Sequence, residues 1–205
     1  MEQDGVEALL FDLGQVVIEV DFSRAFEIWA GHEGCSAAAV AGRFSQDEAY
    51  CRHETGEFSV AEYFESLRSS LGIGISDAQF AEGWNSILIG EMPGISDLLD
   101  KAAETLPVYA FSNTNPTHIA HWSVHFSELM GRFRDVFVSS SLGLRKPDVA
   151  AYDRVVSEIG VAAPRVLFFD DVAENVAGAR RAGLEAVHVT TPQCVGRELK
   201  DRFAF

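Results

Sequence analysis

Short apolar runs, separated by amphipathic stretches, punctuate this chain. Ala8-Leu9-Leu10-Phe11 ends at Asp12, and Pro107 to Phe111 ends at Ser112. Val136 to Val138 follows, then Val166 to Phe169 ending at Asp170, and last Ala186 to Val189. Continuous runs of this length are the mark of parallel strands covered by helices on both faces, because neither face meets water. Their alternation with helical stretches predicts an α/β chain with a doubly wound, Rossmann-like parallel sheet.

Between Asp21 and Gly90 no such run occurs. Three helix starts of capping-box form stand there instead: Ser45-x-x-Glu48, Ser59-x-x-Glu62 and Ser76-x-x-Gln79. After Ser59, the residues Val60, Tyr63, Phe64, Leu67 and Leu71 share one helical face. Gly72 to Gly74 marks a turn. The expected organisation is a core made of residues 1–20 plus 91–205, with an all-helical cap domain, residues 21–90, inserted after the first strand.

Composition narrows the function. A chain of 205 residues, 47% apolar and 23% charged, can bury a full core as an ordinary globular protein. A formal net charge of −15 argues against nucleic acid and anionic membranes as partners, since both need a basic face. A small anionic substrate then requires a local counter-charge: a lysine, a helix N-terminus or a metal ion. No apolar run approaches the roughly 20 residues of a membrane span. Met1 to Glu7 carries three acidic residues and no basic one, unlike a secretory signal, so a cytoplasmic location is expected. Cys35, Cys51 and Cys194 lack Cys-x-x-Cys spacing and are expected to be reduced and structural.

In an open parallel sheet, ligands bind beyond the carboxyl ends of the strands. Asp12, Ser112 with Asn113, Lys146 and Asp170 with Asp171 all fall at or just after that edge. A carboxylate can attack phosphorus, a hydroxyl can hold a phosphoryl oxygen, a lysine can offset charge on both, and further carboxylates can hold a metal. Taken singly, each has an ordinary role. Asp12 and Ser112-Asn113 suit turns, Lys146 suits a solvated loop, and Asp171 suits the N-cap of a helix near Ala173. Taken as a set at successive strand ends, they favour one shared site.

The motifs that carry these residues resemble those of a known family. Phe11-Asp12-Leu13-Gly14-Gln15-Val16-Val17, Phe111-Ser112-Asn113-Thr114-Asn115, Arg145-Lys146-Pro147 and Phe168-Phe169-Asp170-Asp171-x-x-x-Asn175 are similar to motifs one to four of the haloacid dehalogenase-like hydrolase superfamily. Asp-Leu-Gly-Gln-Val, the segment Ser112 to Trp122 with His118, and Arg52-His53-Glu54-x-Gly56-Glu57 resemble its helical-cap sugar-phosphatase subgroup, which includes bacterial α-D-glucose-1-phosphate phosphatase. The resemblance implies a Mg²⁺-dependent phosphomonoester hydrolase acting on a small phosphorylated metabolite, such as a sugar-1-phosphate, through an aspartyl-phosphate. It makes Asp12 the nucleophile and a metal ligand, with Ser112 and Asn113 holding the phosphoryl group and Lys146 neutralising charge. Asp170 and Asp171 would hold Mg²⁺ together with the carbonyl of Gly14, and His53 of the cap would contact substrate.

Gly14 departs from the pattern, because the family usually places there an aspartate that serves as general acid. Losing such a group typically forfeits a rate factor of about 10²–10⁴. Glu19, Asp21 and His53 are the sequence candidates to replace it. Two alternatives remain within the superfamily: a metal-independent 2-haloacid dehalogenase, which needs no acid at Gly14, and a catalytically weak phosphate-binding relative. Against the first stands the Asp170-Asp171 pair, whose charges near Asp12 repel unless a cation sits among them. A response-regulator receiver is disfavoured because its acid pair precedes the acceptor aspartate. His118 with Trp122, and His121 with His125, lie at i, i+4 spacing, which ordinary helix packing also explains.

Overall fold

The computed structural model describes residues 5–203, so Met1 to Asp4 in the acidic opening segment and the last two residues of the expected core lie outside it. Five strands form one parallel sheet: β1 (Ala8–Phe11), β4 (Val108–Ser112), β5 (Asp135–Val138), β6 (Val166–Asp170) and β7 (Glu185–His188). Their order is β5-β4-β1-β6-β7, with β1 central. Leu10 lies opposite Tyr109 on one side and Phe168 on the other. All five runs seen in the sequence are strands of this doubly wound sheet.

Side-chain alternation sorts the core into two layers. Leu9, Phe11, Val108, Ala110, Leu167 and Phe169 face one layer, packed by α6 (Ile95–Ala103), α7 (Pro116–His125), α8 (Ser127–Met130) and α12 (Gln193–Phe203). Ala8, Leu10, Tyr109, Phe111, Val166 and Phe168 face the other, against α10 (Val149–Ile159) and α11 (Ala173–Arg181). A single turn, α9 (Ser139–Leu142), follows β5.

A second, antiparallel pair of strands, β2 (Ile18–Val20) and β3 (Leu88–Glu91), carries the chain out of the sheet region and back. No sequence feature had pointed to β3, whose four residues alternate between half-buried and exposed. Between these strands run α1 (Ser23–Glu33), α2 (Ala37–Ala41), α3 (Glu48–Glu54), α4 (Val60–Leu71) and α5 (Asp77–Ser86). They enclose a core of their own, built on Trp29, Tyr63, Phe64, Leu67, Leu71, Phe80 and Trp84. The boxes at Ser59 and Ser76 form as expected, and Gly72 ends α4 in the left-handed conformation at φ 62°. The expectation at Ser45 is corrected: α3 is capped by Asp47, whose carboxylate accepts from the Tyr50 N–H at 3.0 Å. Asp is as good an N-cap as Ser, and it sits directly before the first helical residue.

Candidate active site

The first crossover begins with a tight turn. Leaving β1, Asp12 hydrogen-bonds through its N–H to the Phe169 carbonyl (2.8 Å), continuing the sheet by one residue. Gln15 then takes φ 54°, uncommon for a residue with a side chain, and is held by its N–H on Ile18 O (2.7 Å) and its amide on Val20 O (2.6 Å). The turn keeps the Asp12 side chain at the strand edge, where Oδ1 accepts from the Leu13 N–H at 2.7 Å.

Lys146 is the centre of the site. Its side chain is 1% exposed, and its ammonium donates to Asp12 Oδ1 (2.8 Å), Asp170 Oδ2 (2.7 Å) and the Phe111 carbonyl (3.0 Å). The ammonium lies 5.4 Å from the ring centroids of both Phe111 and Phe168, within the range of a cation–π contact. Burial opposes its charge, but Asp12 and Asp170 outweigh that and hold its pKa above the ordinary lysine value. Burial drives the Asp12 carboxyl up to about 8, with Lys146 opposing and Asp170 and Asp171 adding to the rise. Asp171 is likewise raised, by burial and by Asp170.

The oxygens of Asp12, Asp170 and Asp171 lie within 4.8 Å of one another, the one such grouping of three or more metal-ligating side chains among the described residues. Hard carboxylate oxygens gathered this closely, two of them held above their usual range, suit a divalent cation such as Mg²⁺. Asp170 is the most occupied of the three. Its Oδ1 accepts from the Val172 N–H (2.8 Å), Oδ2 takes Lys146, and Asn175 Nδ2 reaches both oxygens at 3.1 Å. Asp171 is not the N-cap of α11; Val172 holds that position without a side-chain cap bond.

Ser112 ends β4 at the cavity, as the sequence places it. Asn113 does something the sequence did not suggest. Its Oδ1 accepts from the Lys146 N–H and its Nδ2 donates to the Lys146 carbonyl, both at 2.9 Å. That amide clamps the lysine backbone and is not free to bind a phosphoryl oxygen. Fully buried Ser139 braces the same loop, accepting from the Thr114 N–H at 2.8 Å.

A cavity of about 440 Å³ lies between these strand ends and the helical segment, lined by Asp12, Gly14, Ser112, Lys146 and Asp171 below and by Gln46, Tyr50, Cys51 and Glu54 from the helices. His118 and Trp122 also reach it. His53 does not line it: the ring is buried, stacked on Tyr63 at 4.4 Å, with Nδ1 3.2 Å from Phe58 O. Glu19 and Asp21 do not line it either, and Asp21 instead accepts from the Ser23 N–H at 2.9 Å. The helical residue that does arrive is Glu54, 5% exposed, whose Oε2 accepts from Arg145 Nη2 (2.7 Å) and Nε (3.1 Å). Its neighbour Gly56 shows why the two parts approach so closely. At φ 74° it packs on Ser140, and a Cβ there would collide with the Ser140 carbonyl oxygen. Glu54 stood inside a motif already noticed, but nothing in sequence spacing pairs it with a residue 91 positions later.

The family model for haloacid dehalogenase-like hydrolases matches residues 6–183. The chain belongs to that family. Drimenol cyclase drtB of Aspergillus calidoustus is 28% identical over 97% of this chain, which spans only 37% of that relative's length. D-ribitol-5-phosphate phosphatase of Bacteroides thetaiotaomicron is 23% identical, covering 88% of this chain and 90% of the relative. A haloacid dehalogenase family enzyme of Bacteroides thetaiotaomicron, solved in complex with magnesium and inorganic phosphate, superimposes with a TM-score of 0.78 at 27% identity, over 90% of this chain and 94% of that one. This hydrolase shares its fold with them, and no helix among its described residues is long and apolar enough to cross a membrane.

Proposed function

We propose that the chain is a Mg²⁺-dependent phosphomonoester hydrolase that works through an aspartyl-phosphate on Asp12 and takes a small sugar phosphate, sugar-1-phosphates among the favoured esters. The observation that carries this reading is Lys146, a buried ammonium bridging Asp12 and Asp170 at the edge of a cavity that Asp171 also lines. The magnesium and phosphate bound by the structural neighbour, and the D-ribitol 5-phosphate named for a relative, support the same chemistry.

In this scheme an Asp12 oxygen attacks phosphorus and the ester P–O bond breaks. Water then cleaves the acyl phosphate, returning the Asp12 carboxylate and inorganic phosphate. The Ser112 hydroxyl holds a phosphoryl oxygen, and Lys146 offsets the charge shared by nucleophile and phosphoryl group. Asn113 and Asp170 keep Lys146 in place, one by its backbone and the other by its ammonium. Mg²⁺, held by Asp12, the Gly14 carbonyl and Asp171 beside Asp170, supplies positive charge where Asp12 and the phosphate meet. Residues 21–90 act as a cap that excludes water and contacts the leaving group. An anomeric oxygen leaves more readily than a primary alkoxide, which suits a site whose position 14 carries no acid.

The test is a screen of phosphomonoesters with purified protein, with Mg²⁺ and after exhaustive chelation, alongside Asp12→Asn. Turnover that needs the metal and vanishes in Asp12→Asn, with phosphate trapped on Asp12 in the wild type, is the expected result. Full activity after chelation, or a label only on serine or histidine, overturns it.

A further inference from the structure

We propose that Glu54 is the proton donor to the departing ester oxygen, standing in for the acid that position 14 lacks; the inference rests on the phosphohydrolase reading above. Attacking and leaving oxygens lie roughly in line across phosphorus. With Asp12 attacking from the strand edge, the leaving oxygen points toward the helical segment. Of the polar side chains which that segment contributes to the cavity, Gln46, Tyr50, Cys51 and Glu54, only Glu54 carries a carboxyl group. Glu174 also lines the cavity, but it belongs to α11, three residues after Asp171.

The local geometry suits a donor. Both Arg145 bonds fall on Oε2, so Oε1 is free of the guanidinium. Arg145 and Lys146 face the group from the loop after α9, Tyr50, Cys51 and His53 share its helix, and Tyr63 approaches from α4. Burial outweighs the pull of Arg145 and raises the Glu54 carboxyl above its ordinary range, where a proton is within reach near neutrality. As the P–O bond breaks, the electron pair stays on the ester oxygen, which takes the proton and leaves as an alcohol. The Glu54 carboxylate then accepts a proton from the water that attacks the acyl phosphate, which restores the acid.

The experiment uses the full chain with Mg²⁺, comparing wild type, Glu54→Gln and Glu54→Asp on p-nitrophenyl phosphate and a panel of alkyl and sugar phosphates. Nitrophenolate departs with little protonation, whereas alkoxides need it, and kcat/KM reads the first chemical step. Glu54→Gln, which keeps an oxygen for Arg145, is expected to lower the alkyl-to-aryl ratio of kcat/KM by about 10²-fold or more and to abolish the basic limb of the alkyl pH profile. Glu54→Asp should recover part of both. Equal losses on the two ester classes would make Glu54 only an anchor of the cap and overturn the inference alone. A ratio that does not move, or a wild type active on aryl but on no alkyl or sugar ester, overturns it too. A wild type inert on every ester overturns the phosphohydrolase reading, and this inference with it.

Discussion

Acidification from pH 7 to 4.5 is expected to cost the fold about 2.5 kcal/mol through His118 alone. The magnitude follows from its surroundings. His118 is buried at the start of α7, its ring stacked on Trp84 at 5.1 Å. Asn115 Oδ1 accepts from the Thr117 and His118 N–H groups, each at 3.1 Å, so the Asn115 amide nitrogen faces His118 Nδ1, also at 3.1 Å. Nδ1 must therefore accept, while Nε2 donates to the Trp84 carbonyl at 3.0 Å. A second ring proton would have to sit on Nδ1, against an amide donor. Burial first, and neighbouring His53 and His121 after it, lower its pKa from 6.5 to about 4, although the bond to Trp84 O favours the charged form. The unfolded chain therefore binds a proton between these values that the folded chain refuses. Stability falls as pH drops below 6.5, and the loss is complete below about 4.

The assay is urea denaturation of wild type and His118→Phe from pH 7.5 to 4.5. At pH 7 the variant should be the less stable by about 1–3 kcal/mol, because the Trp84 carbonyl loses its donor. Toward pH 4.5 the wild type alone loses the histidine contribution, so the gap should close or reverse. Other titrating groups, Glu54 among them, act in both proteins and cancel in the difference. A gap that stays constant across this range would refute the reasoning.

Three further outcomes follow from the geometry. Lys146→Ala should lower turnover by about 10²–10³-fold or more and, by leaving Asp12 and Asp170 facing each other, destabilise the fold by about 3–5 kcal/mol, read by kcat and by denaturation. Gly56→Ala forces a side chain into a left-handed residue against Ser140 and should cost about 1–3 kcal/mol; a Tm equal to that of the wild type would show that the cap yields there. Gly14→Asp has room, since a Cβ there would meet only Val20 Cγ2 at 3.7 Å, and kcat/KM on primary alkyl phosphates should rise by up to about 10²-fold while aryl esters gain little.

Much of this architecture was written in local pattern. Buried parallel strands need unbroken apolar runs, so each of β1, β4, β5, β6 and β7 announced itself, and Asp12, Ser112 and Asp170 came with them as strand-end residues. The helical character of the inserted segment and two of its three helix starts were legible too, because a capping box spans only three residues. Ser45 misled because the competing cap, Asp47, lay two residues on. β3 was silent because a short ribbon strand outside the main sheet carries no continuous apolar run.

What a side chain does once it arrives depended on partners far away in the chain. Asn113 suited a phosphate ligand until its amide was seen spent on the backbone of Lys146, 33 residues on. His53 and Glu54 are adjacent in sequence, yet the turn of α3 sends one ring into the stack on Tyr63 and the other side chain to the cavity and Arg145. Sequence determines which groups stand at strand ends and which faces are apolar, since both are set by neighbours within a few residues. Tertiary packing decided which of those groups are already satisfied and which still face the cavity, because each such pairing closes across the helical segment or between strands.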